Sequence, residues 1–357
     1  MKSKNKHSPC LFRRNKHLNL LDFGFQKTEK KFLNKINKMP VDELDYNELA
    51  DFIETTYNFS LSVLDKYSSP FSKKTYTQPV LFTILALKYY LNMSFRQISN
   101  FIEFSDKIKA FFKIKKAPNY STLQKFFKRL PTNMFERITS LIIAELEIKN
   151  GIVALDGSGF TCDSADKYYS KIRGNERKHY TKCHIAIDVE TKIVLHSQAV
   201  KGPRHDTKFA KASIRAIKKY KPSYILADKA YDTEPIRRCI NKELGSTEQI
   251  PLKSNFTHGV YRRKSQKTFQ KEIYNQRGLV ENVFSVIKRI FQGTNKSKFT
   301  RLRNKETRLK TLFYNIYRYN IIKKWRFQQS LKNNKIRIKI KKIVNSNVLI
   351  IIKNNIN

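Results

Sequence analysis

Acidic side chains are scarce in this sequence: 29 Asp and Glu stand against 72 Lys and Arg, a formal charge of +43 over 357 residues. The excess runs through both termini and the interior, so a polyanion is the expected partner. Nucleic acid fits best, because counterion release from phosphates gives basic proteins their non-specific affinity. Lys, Asn and Ile are all abundant, a pattern that coding bias also produces, so charge alone does not name the partner. Cysteine is scarce too. Cys10, Cys162, Cys183 and Cys239 lie far apart, and none makes a spacing typical of zinc or redox motifs. Long apolar runs are missing: the best candidates, "PVLFTILAL" and "NVLIII", fall well short of the roughly 18 residues needed to span a bilayer. The start, "MKSKNKHSPCLFRRNKHLNL", lacks the apolar core of a signal peptide. The expectation is a soluble cytosolic protein with reduced thiols and no membrane partner.

What is present suits a globular chain, with 40% hydrophobic and 12% aromatic residues. Its length implies two domains, since single cores rarely grow past roughly 250 to 300 residues. Residues 1–40 are basic, weakly patterned and expected to be mobile. Residues 41–148 read as helices throughout. "SFRQ" and "STLQ" each place Ser three residues before Gln, as in a capping box, predicting helix starts at Ser94 and Ser121. After the second, Leu123, Phe126, Phe127 and Leu130 make an apolar stripe, leaving Lys125, Lys128 and Arg129 outward. Such a helix could enter a major groove as in a helix-turn-helix protein, or simply form the solvated face of a bundle.

Near Gly151 the pattern changes. "GIVALD" is an apolar run ending in Asp156, "KCHIAIDV" and "KIVLHSQAV" suggest a hairpin, and "DTKFAKASIRAIKKY" is helical. "SYILAD" is a second apolar run, ending in Asp228; a helix over 234–242, a short strand "EQIPL" and a further helix follow. Three strands, helix, strand, helix, strand, helix predicts an α/β domain over 149–325 with a mixed sheet, in the order of the ribonuclease H-like fold, preceded by an all-α domain. "KETRLKTLFYNIYRYNIIKKW" predicts a closing helix, and 326–357 a peripheral basic tail.

The helix "YNQRGLVENVFSVIKRIF" carries Tyr274, Arg277, Glu281 and Lys288 at offsets of three, seven and fourteen. As one helix, those positions share an arc of roughly 60°, with Leu279, Val280, Val283, Val286, Ile287 and Ile290 opposite. A plain amphipathic helix has that pattern as well. The rest of the chain favours chemistry: two strands ending in Asp converge at one sheet edge if they run parallel, and clustered carboxylates repel unless a cation is present. Mg²⁺ suits such oxygen ligands, and two ions can polarise an attacking oxygen and stabilise a leaving one at phosphorus. Glu281 supplies a third carboxylate, while Arg277 and Lys288 would meet DNA phosphates, with Tyr274 beside them.

"YNQRGLVENVFSVIK" meets every spacing of a signature of Tyr, two residues, Arg, three residues, Glu, six residues, Lys. On that stretch, with "ALDGSGF" around Asp156 and "ILADKAYD" around Asp228, the chain resembles the DDE transposases of insertion sequences, in the group related to insertion sequence four. The resemblance covers about Ser94 to Tyr319. It implies a ribonuclease H-like core cutting and joining DNA with Mg²⁺ or Mn²⁺, two ions being expected. It also implies Asp156, Asp228 and Glu281 as catalytic metal ligands, and Tyr274, Arg277 and Lys288 as the grip on the transposon end. Partners would be double-stranded DNA, both terminal inverted repeats and target, with a homodimer assembled on it in a prokaryotic cytoplasm, associated with the nucleoid. Only about 50 residues separate Asp228 from Glu281, too few for the β insertion of some relatives. A hairpin intermediate is therefore not implied.

Elsewhere, Asp206 and Asp232 read as helix caps and His205 as a loop residue. Lys229 should leave its strand on the side opposite Asp228, and Cys183 and His184 point to opposite strand faces. Two other functions compete with a transposase: an inactive or domesticated DNA-binding descendant, and a structure-selective nuclease on the same core. Flanking inverted repeats would favour the first reading over both.

Overall fold

A computed structural model of the chain describes residues 48–162, 172, 180–254 and 258–354, with side chains to residue 330. The expected basic segment 1–40, with Cys10, lies outside the described residues. Among the described residues, six helices come first: α1 (Glu48–Val63), α2 (Gln78–Tyr90), α3 (Phe95–Glu103), α4 (Asp106–Phe112), α5 (Tyr120–Arg129) and α6 (Asn133–Glu145). The capping box at Ser94 and Gln97 forms, with both reciprocal bonds present. The one expected at Ser121 does not. Asn119 caps α5 instead, accepting from Ser121 N at 3.0 Å, so the helix begins one residue before that serine.

A mixed six-stranded sheet follows, in the order β3-β2-β1-β4-β5, with a short β6 also on β1. The strands β1 (Ile152–Cys162), β2 (Tyr180–Asp188) and β3 (Val194–Lys201) run antiparallel, while β4 (Tyr224–Leu226), β5 (Thr247–Gln249) and β6 (Thr294–Asn295) extend it in parallel. This is the ribonuclease H-like arrangement. Between the strands run α7 (Thr207–Ala216), α8 (Glu234–Arg238), α9 (Val260–Thr268), α10 (Lys271–Tyr274) and α11 (Leu279–Phe291), and α12 (Thr300–Asn354) closes the chain. Helix α12 continues well past Trp325 and takes in most of the expected tail.

Val153, Ala154 and Leu155 of β1 are all buried, as expected of a central strand covered on both faces. The helical part and the sheet share one apolar core, with Phe52 against Phe291 and Phe82 and Tyr89 against Phe313. Lys305 of α12 also caps α5, donating to the carbonyls of Phe127, Lys128 and Leu130 at 3.3, 2.9 and 2.8 Å. A buried ammonium at a helix C-terminus satisfies carbonyls that have no partner within the helix.

Candidate catalytic site

Asp156 does not end its strand: β1 runs on to Cys162, paired with β2 from Val153 to Thr161. What ends beside it is the opposite neighbour. Strand β4 pairs with β1 only as far as Ala154, and β6 joins only at Thr161, so among the described residues that edge of β1 is open from Leu155 to Phe160. Asp156 sits at the start of this gap. Asp228 lies two residues beyond the end of β4, on the same side of β1. It caps the three-ten turn Lys229–Tyr231, accepting from Ala230 N, and Lys229 after it is exposed.

The polar stripe lies over β1. The single helix expected from Tyr274 is broken: α10 ends at Tyr274, the three-ten turn Asn275–Gly278 carries Arg277, and α11 starts at Leu279. The 60° arc therefore holds for Glu281 and Lys288 but not for Tyr274 and Arg277. Val280, Val283 and Ile287 are buried as expected, and so are Phe284 and Phe291. Arg277 donates to Asp156 Oδ2 at 3.5 Å and to Glu281 Oε1 at 2.5 Å. Lys288 donates to Ser158 Oγ at 2.7 Å and lies over the Phe160 ring. Tyr274 stacks obliquely on Phe269, with ring centroids 5.5 Å apart. The structure thus joins Asp156, Arg277 and Glu281 directly and sets Lys288 two residues along β1, while Tyr274 packs to the side.

Burial pushes the Asp156 carboxyl up, opposed by the Gly157 N–H and Arg277 and reinforced by Asp206 and Glu281. Arg277 is held more firmly protonated: burial works against its charge, but Asp156 and Glu281 outweigh it. Burial also lowers Lys288. Among the described residues, no three Asp, Glu, His or Cys side chains stand close enough to share one ion. Two of the expected ligands have the Arg277 guanidinium between them. A planar cation in that position neutralises both carboxylates and holds them apart.

Sequence reasoning missed what lies behind this gap. Tyr231, three residues after Asp228, is buried and bonded through its hydroxyl to His184 Nε2 at 2.8 Å, and His184 Nδ1 meets Ser213 Oγ at 3.0 Å. Burial raises the Tyr231 phenol strongly, and the negative charges of Asp206, Asp156 and Asp228 all add to that rise. Asp206 occupies the cap position of α7 but makes no capping bond; it pairs with Lys182 at 2.8 Å, and its Oδ1 has no hydrogen-bond partner. That oxygen lies so close to Gly157 that a Cβ there would come within 2.2 Å of it. Asp232 is not a cap either. It is fully buried and pairs with Arg237 and Arg262 at 3.0 Å each. His205 is exposed, and Cys183 and His184 are both buried. The sequence offers no signal for Tyr231 beyond its place in the block "ILADKAYD" around Asp228. Lys125, Lys128 and Arg129 are exposed on α5, away from its buried Leu123, Phe126 and Phe127.

Residues 148–316 match the family model of the transposase DDE domain, and residues 31–129 match that of a transposase domain, DUF772. No curated protein sequence matches the chain. Among solved structures, a piggyBac transposase synaptic complex with hairpin DNA aligns at 10% identity and a TM-score of 0.39, covering 77% of this chain and 73% of that one. A pre-cleavage Mos1 transpososome aligns at 11% identity and a TM-score of 0.21, covering 72% and 80%. Likenesses this weak carry no detail across to this chain.

Proposed function

We propose that this chain, a DDE-type transposase and hence an enzyme of DNA cleavage and transfer, cuts and joins the ends of an insertion sequence through Asp156, Asp228 and Glu281. The observation that carries the reading is Arg277, whose one guanidinium touches Glu281 four residues on and Asp156, 121 positions away in the chain. The signature spacing supports a place in the group related to insertion sequence four.

The DDE domain implies a divalent metal, and the donor set fits one, since three carboxylates offer the hard oxygens that Mg²⁺ or Mn²⁺ prefers. Two such ions would supply activation of the attacking oxygen and stabilisation of the leaving oxygen at phosphorus. The side chains of the chain do the rest. Asp156 and Glu281 become available as Arg277 turns to a DNA phosphate, and Lys288 and Tyr274 extend that grip. Asp228, two residues past the end of β4, would complete the set on metal binding. The hydroxyl of Tyr231, held by His184, fixes the floor beneath these carboxylates. In this reading α5 presents Lys125, Lys128 and Arg129 to the terminal inverted repeat, and two chains assemble on DNA in a prokaryotic cytoplasm.

The test is strand cleavage of end DNA by Asp156→Ala, Asp228→Ala and Glu281→Ala, with binding measured in parallel. Each should bind nearly as the parent does and cleave nothing, because ligands to a catalytic ion serve chemistry more than docking. Cleavage near the parental rate by any one, or full activity in excess chelator, overturns the assignment.

A further inference from the structure

Helix α9, "VYRRKSQKT", has no apolar face. Its one buried residue is Ser265. Its valine, Val260, is exposed, and a nine-residue helix that buries no apolar side chain does not hold itself together in water, so something else must fix it. Buried and half-buried polar bonds do so. Arg237, fully buried, donates to Ser265 Oγ at 2.7 Å while pairing with Asp232 and Glu248 and reaching the Ile250 carbonyl at 2.9 Å. Glu234 of α8 accepts from the Tyr261 and Arg262 amides at the start of α9, at 2.8 and 3.4 Å. Arg262 itself reaches Asp232 at 3.0 Å, and Gln249 of β5 bonds the Thr268 carbonyl at the far end at 3.0 Å. Desolvating that many charges is costly and adds little net stability. What it secures is a fixed orientation.

The side turned outward is cationic. Arg263, Lys264 and Lys267 are exposed, and at 100° per residue they share an arc of about 100°. Between His258 and Tyr274 there are five basic residues and one acid, Glu272. The chain leads from this helix to the proposed DNA grip: Phe269, just past α9, packs on Tyr274, three residues before Arg277.

We propose that α9 is a second DNA surface of the catalytic domain, on which Arg263, Lys264 and Lys267 bind backbone phosphates of duplex DNA without reading its sequence. The inference rests on the transposase reading above and adds a partner surface to it. A row of cations on a helix held in a fixed orientation would extend the footprint along the duplex beyond the residues that face the cleaved bond, and lysine and arginine contacts to phosphate set position rather than sequence.

The test is equilibrium binding of the full chain to duplex DNA in chelator, over a range of salt, so that catalysis plays no part. The variant Arg263→Gln/Lys264→Gln/Lys267→Gln should lower the slope of log affinity against log salt by nearly three contacts, about 2.7, equally for element-end and unrelated duplexes. Arg263→Gln/Lys267→Gln leaves the Lys264 bond to Asn241 intact and should lower it by about 1.8. Melting temperatures should stay at the parental value. A charge-matched control, Lys66→Gln/Lys73→Gln/Lys74→Gln, removes three exposed lysines elsewhere and should leave the slope alone. An unchanged slope in folded α9 variants, or an equal fall in the control, overturns the proposal. If the parental chain itself shows no salt-dependent duplex binding, the transposase reading fails first.

Discussion

Replacing His184 with glutamine tests the buried polar floor beneath the carboxylates. His184 is 1% exposed, and both ring nitrogens have hydroxyl partners, Ser213 and Tyr231. Burial, then His196 and Lys182, push its pKa down to about 3. In the unfolded chain an ordinary histidine titrates near 6.5. Between those two values the unfolded state holds a proton that the folded state refuses, so stability falls as pH drops below about 6.5, by roughly 1.4 kcal/mol per unit. Above 6.5 the residue contributes no pH dependence. From pH 7.5 to 4.5 the loss from His184 alone comes to about 2.7 kcal/mol. Other groups, including His196, remain in both proteins and cancel when parent and His184→Gln are compared. Urea unfolding, followed by circular dichroism and by fluorescence of the sole tryptophan, Trp325, should show the parent's advantage over the variant shrinking by that amount across the range. A difference that stays constant with pH would mean that His184 takes up its proton in the folded state, and the account of a neutral, buried His184 beneath Tyr231 would be wrong.

Four further outcomes follow from the site. Val283 is 1% exposed beneath α11, so Val283→Asp should lose at least about 3 kcal/mol in denaturant unfolding by burying an unpaired charge. Glu281, 59% exposed in its side chain, should tolerate Glu281→Gln with the fold intact and cleavage lost. Adding Asn282→Glu turns the carboxylate about 100° around the helix and should restore nothing; cleavage by that double variant would detach the site from this face. Gly157→Ala would drive a methyl into Asp206 Oδ1 and should destabilise by about 1–3 kcal/mol, a penalty that should shrink in an Asp206→Ala background. Equal penalties in both backgrounds would remove the steric explanation. Arg277→Gln takes a competing cation from between Asp156 and Glu281, so calorimetric titration should show tighter Mn²⁺ binding alongside weaker DNA binding. Unchanged Mn²⁺ affinity would show that the guanidinium does not hold the carboxylates against the ion.

What could be read in advance is what hydrophobic periodicity encodes. The order of strands and helices was legible, and so was the facing of α11, because Val280, Val283 and Ile287 recur at helical spacing and Glu281 stands clear of them. The length of β1 was not legible. Gly157, Ser158 and Gly159 after Asp156 have turn chemistry, yet pairing with β2 along the whole stretch holds them in strand. The reason for glycine at 157 is a carboxylate 49 positions further on, and no local pattern shows that. Asp206 and Asp232 mislead for the same reason. Each stands just before a helix, as a cap would, but Lys182 claims the first and Arg237 with Arg262 the second, through pairs set by the tertiary fold. Helix α9 has no apolar period in its sequence and is held by a buried arginine from another element. Apolar patterning thus reveals the scaffold and one wall of the site, whereas the buried polar contacts around Tyr231 and under α9 depend on hydrogen bonds and ion pairs between distant segments. Such pairs become visible only once the sheet has brought those segments together.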